Sequence, residues 1–165
     1  MTIAEYGLLF SGTQALAVVV GFYFAYKQLS LLQYSLRNSV ELASRQNAMN
    51  LMARYSSVDF AAYRSKLRAD KDMQGNYHSM FALLNFFEEI AIAVKHKTAN
   101  KGILQDAFAT SLRSWLEEEY IIEALNRARA KDPARFENLL DLYRDWGGSH
   151  SRTVQIRSVE ALHAV

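Results

Sequence analysis

Residues 7–26 read GLLFSGTQALAVVVGFYFAY, and the fold assignment turns on them. No charged residue lies between Glu5 and Lys27. A helix of about twenty residues extends roughly 30 Å, the thickness of the hydrocarbon core of a bilayer. Two readings follow. One is a transmembrane helix over residues 7–27. The other is a helix buried in a bundle, which Ser11, Thr13 and Gln14 and the shortness of the dense apolar part, Ala15 to Tyr26, keep open. A cleaved signal peptide fits poorly, because a basic n-region is missing and KQLSLLQYSL, which follows, has no small-residue cleavage pattern.

The flanking charges orient the first reading. Glu5 precedes the stretch, while Lys27, Arg37 and Arg45 follow it. The positive-inside rule then places the rest of the chain in the cytoplasm, on a single-pass anchor in the cell inner membrane with the lipid bilayer as a partner. Phe22, Tyr23, Phe24 and Tyr26 crowd one end, as interfacial aromatics do. Within hydrocarbon, Gln14 would seek a partner on another helix, and Gly7, Gly12 and Gly21 would allow close approach. These four residues form the expected assembly surface of a homo-oligomer.

The 165 residues carry a net charge of +2, one proline and no cysteine. Disulfides and cysteine-ligated zinc are thereby excluded. Charge is unevenly spread. Lys27 to Lys71 holds eight basic and three acidic residues, whereas Asp72 to Leu125 holds four and eight. A basic segment thus follows the apolar one. Its arginines, Arg37, Arg45, Arg54 and Arg64, form a candidate face for lipid headgroups near the membrane and for nucleic acid or an acidic protein further along.

The remainder reads as all-α. Gln28 to Met73 contains no glycine or proline, and Leu29, Leu32, Leu36, Val40 and Ala43 recur at helical spacing. One long helix, or two in line, is expected up to the break at Gly75. The next helix, Tyr77 to Lys97, is apolar nearly all round and should be central. A third is expected over Ile103 to Arg129, with Glu117, Glu118 and Glu119 on its wet face. A fourth is expected from Pro133, at the first helical position after Asp132, to Trp146. The domains are then a span at 7–27, a bundle at 28–146 and a tail at 147–165.

Asn85, Glu88 and Glu89 lie in the most apolar helix, so a buried polar pair or amide network is expected there. A carboxylate metal site needs Glu-x-x-His on two helices, which neither His78 nor His96 supplies, so no metal or cofactor is expected. Arg144 and His150 could act on RNA, with histidine as acid or base and arginine steadying the phosphorane. Phosphate-binding, dinucleotide, nucleophile-elbow and zincin motifs are absent from the sequence.

With LLNFFEEIAIAV at Leu83 to Val94 and FENLLDLYRDW at Phe136 to Trp146, the chain resembles a family of small bacterial membrane-anchored helical proteins of unknown function. More loosely, its layout resembles the membrane accessory proteins of type VI-B CRISPR systems. That likeness implies one span, a HEPN-like helical domain and a pore-like multimer in antiviral defence. It would also match Arg144 and His150 to an Arg/His motif, although Gly147 and Gly148 depart from a continuous helix there. Three expectations result: a non-catalytic, self-associating membrane protein acting as a pore-forming or effector subunit; a membrane-tethered ribonuclease; and an adaptor holding a cytoplasmic effector protein at the membrane.

Overall fold

The computed structural model describes residues 3–70 and 73–147, with side chains in the first helix from Val18 onward. Six helices follow in order: α1 (Ile3–Tyr55), α2 (Val58–Ala69), α3 (Met73–Lys95), α4 (Lys101–Leu116), α5 (Glu119–Lys131) and α6 (Glu137–Asp145). The chain divides into two units after Leu42. The first holds the N-terminal part of α1, and the second holds its C-terminal end with the other five helices.

In the second unit α3 is the hub, packing against α2, α4, α5 and α6. The sequence explains this role. Met80, Leu83, Leu84, Phe86, Phe87, Ile90 and Ala91 are all buried, and they surround most of the helix. The other helices each bring one stripe: Ala48, Leu51 and Tyr55 from α1, Phe60 and Leu67 from α2, Leu104, Phe108 and Leu112 from α4, Ile121 and Leu125 from α5, and Leu139, Leu140 and Tyr143 from α6. Each large side chain buried this way contributes about 1.5–3 kcal/mol. An aromatic cluster joins three of the helices at α3. Tyr55 stacks on Phe86 at 5.4 Å and meets Phe108 edge-on at 5.0 Å, and Phe60 lies 4.8 Å from Phe86.

Several boundaries differ from the expectation. The long helix ends at Tyr55 because Ser57 starts a new one, its Oγ accepting the Phe60 N–H at 3.3 Å. The expected third helix is two, α4 and α5, separated at Glu117 and Glu118 without glycine or proline. Asn100 caps α4 by accepting the Ile103 N–H at 3.1 Å, so Gly102 lies inside the helix instead of before it. Pro133 is not the first residue of α6. The Asp132 Oδ1 accepts the Ala134 N–H at 3.1 Å, which holds the segment as a turn, and Arg129 donates to the Arg135 carbonyl at 2.9 Å. Helix α6 starts four residues later than Pro133, at Glu137, after Phe136 in a left-handed conformation with φ +63°.

The transmembrane reading of residues 7–27 is overturned. Among the described residues, no helix is long and apolar enough to cross a membrane. After Tyr26 the helix carries Lys27, Gln28, Ser30, Gln33 and Arg37. The single-pass inner-membrane topology and the lipid bilayer as a partner fall with the span, and so do the membrane pore and the membrane-held adaptor. The tail, 148–165, and the surroundings of Gly7, Gly12 and Gln14 lie outside what is described.

Candidate functional site

The two glutamates of LLNFFEE leave α3 in different directions and serve different neighbours. Glu88 is half-buried and faces the start of α6. Its Oε2 accepts the Leu139 N–H at 2.7 Å, and its Oε1 accepts from the Asn138 Nδ2 at 2.7 Å. The Asn138 Oδ1 in turn accepts from the Lys95 Nζ at 2.6 Å. The residue that should cap α6, Phe136, has no side-chain acceptor, and Glu88 takes over that work from another helix. Glu89 is exposed and forms a two-pronged pair with Arg54 of α1, at 2.9 and 2.5 Å. Asn85 is exposed, so of the three residues expected to be buried only Glu88 is even partly withdrawn from solvent.

The basic face is not a row of free cations. Arg54 is held by Glu89 and also lies over the Phe86 ring at 4.9 Å. Arg64 is half-buried and stacks over the Tyr55 ring at 4.1 Å. Its Nε is buried and makes no hydrogen bond, so the ring face is what compensates that group. Arg45 is exposed and already engaged, and Arg37 is exposed on the first unit. Two of the four arginines, Arg54 and Arg64, therefore pack on aromatic rings of the protein itself.

Arg144 sits in the last turn of α6 and donates to the Asp141 Oδ1 at 3.2 Å, one turn back. His150 lies outside the described residues, so the Arg144–His150 pair has no observed geometry. Gly147 ends the helix with φ +82°, a conformation glycine adopts without strain. Among the described residues no group of three His, Cys, Asp or Glu side chains could hold a metal ion. A cavity of about 190 Å³ lies between α3 and α6, lined by Ala91, Val94, Lys95, Asn138, Asp141, Leu142 and Asp145. Cofactor and drug-sized pockets run to roughly 300–1,000 Å³.

The feature without an internal explanation is the first unit. From Val18 to Leu42, the large apolar side chains of α1 are exposed, among them Phe22 at 74%, Leu29 at 56%, Leu32 at 62% and Leu36 at 65%. Leu29, Leu32, Leu36 and Val40 repeat at helical spacing and share one face, from which Lys27, Arg37 and Glu41 are absent, while Leu31, Tyr34 and Leu42 are exposed on the opposite side. Gly21, expected as an assembly residue, has nothing within 4 Å of where a Cβ would stand. The periodicity of this stripe was visible in the sequence, but its exposure was not. The capping role of Glu88 and its support by Asn138 and Lys95 carried no sequence signal, because they depend on contacts some fifty residues apart, between Glu88 and Asn138, and forty-three apart, between Lys95 and Asn138.

Comparison with known proteins bears on the remaining expectations. No curated protein matches the chain. No solved structure matches it either. The HEPN-like domain, the likeness to CRISPR accessory proteins, the defence role and the tethered ribonuclease therefore find no support, and Arg144 is seen only in its local pair with Asp141. Homo-oligomer, effector and nucleic-acid partners are likewise unsupported. The profile of a domain of unknown function, DUF4760, matches residues 12–146, from within α1 to the end of α6. The chain belongs to the DUF4760 family.

Proposed function

We propose that the protein is a non-catalytic binding module whose working part is the apolar stripe of α1, taken up by a groove on a different protein. The observation that carries this reading is the unbroken exposure of large apolar side chains from Val18 to Leu42. A helix with so much apolar surface in water lowers its free energy by being covered, at about 25 cal/mol per Å² of apolar area removed from solvent. Leu29, Leu32, Leu36 and Val40 give the three- and four-residue spacing by which amphipathic helices seat in grooves. The helical bundle supports the reading from the other end. Ala48, Leu51 and Tyr55 lock the C-terminal end of α1 into a core, so the helix need not be stable by itself.

Site-specific photo-crosslinking in cells tests this. A benzophenone side chain placed at Leu32 should give a covalent adduct with one other protein, and the same group at Arg113 should not. Leu29→Asp with Leu36→Asp should remove the adduct and leave bundle melting unchanged. Equal adducts at both positions, or an adduct only with a second copy of this chain, would overturn the reading.

A further inference from the structure

We draw no further inference here: the strongest candidate, the cavity of about 190 Å³ between α3 and α6, is lined by polar groups already engaged within the protein, Lys95 with Asn138, Asp141 with Arg144 and Asp145 with Lys101.

Discussion

Glu88 on α3 closes the N-terminus of α6 by accepting the Leu139 N–H at 2.7 Å. A helix normally draws this acceptor from the residue just before its first turn. Here that residue is Phe136, which is buried and left-handed and has no side-chain acceptor. The cap instead arrives from another helix, and one carboxylate both satisfies a backbone donor and fixes where α6 sits on α3. Its negative charge also lies at the positive end of the helix dipole.

Removing this carboxylate should be costly for a half-exposed position. Glu88→Ala should lower unfolding stability by about 1–2 kcal/mol, the usual range for a lost cap. Glu88→Gln keeps one acceptor oxygen and should cost less. Urea denaturation of the two variants checks the order. Equal stability of Glu88→Ala and the parent would show that the contact contributes nothing net.

The neighbouring pair should behave differently. Arg54 and Glu89 meet in a two-pronged geometry, but about half of each side chain is exposed. Exposed pairs contribute roughly 0.2–1 kcal/mol, and salt screens them. A double-mutant cycle with Arg54→Gln and Glu89→Gln should give a coupling energy within that range, smaller in 1 M salt. Arg54→Ala should cost more than the coupling, because it also removes the guanidinium from the Phe86 ring. A coupling above about 2 kcal/mol would mean that the pair is far better shielded than its exposure indicates.

Tyr120 links stability to alkaline pH. Burial raises its pKa above the ordinary 10.0, the Glu118 carboxylate adds to the rise, and Arg68 opposes it. Its hydroxyl lies 3.3 Å from the Leu67 carbonyl oxygen and donates to it. Because the folded protein holds this proton more tightly, the contribution is full below pH 10.0 and is lost as pH rises through the folded value. Tyr120→Phe should cost about 0.5–1.5 kcal/mol at neutral pH. It should also make the decline above pH 10.0 shallower than in the parent. Parallel declines in the two proteins would assign the alkaline loss to other groups.

The sequence made some of this fold legible and hid the rest for physical reasons. The central position of α3 followed from a helix with apolar residues on nearly every side, a pattern that only burial tolerates. The division between α4 and α5 was hidden because Glu117 and Glu118 are ordinary helix formers and no breaker residue stands at the break, which falls between the buried Leu116 and Tyr120. The start of α6 was hidden because its cap, Glu88, comes from elsewhere in the chain. Lack of charge alone does not distinguish the apolar opening from a span; the polar residues within and after it do. The pairing partners of Glu88 and Glu89 could not be read at all, since helical periodicity assigns a face but not the residue opposite.

Two glycines should respond oppositely to the same change. Gly147 has φ +82° and open space where a Cβ would stand, so alanine there meets no clash but a strained backbone. Gly147→Ala should cost about 1 kcal/mol, read by urea denaturation. Gly21 lies inside α1, also with nothing nearby. Gly21→Ala should strengthen the local helix by roughly 0.5–1 kcal/mol, seen as slower amide hydrogen exchange around residue 21. If Gly21→Ala instead speeds exchange, a neighbour must press closely on that face of α1, and the helix is more crowded there than its open surroundings indicate.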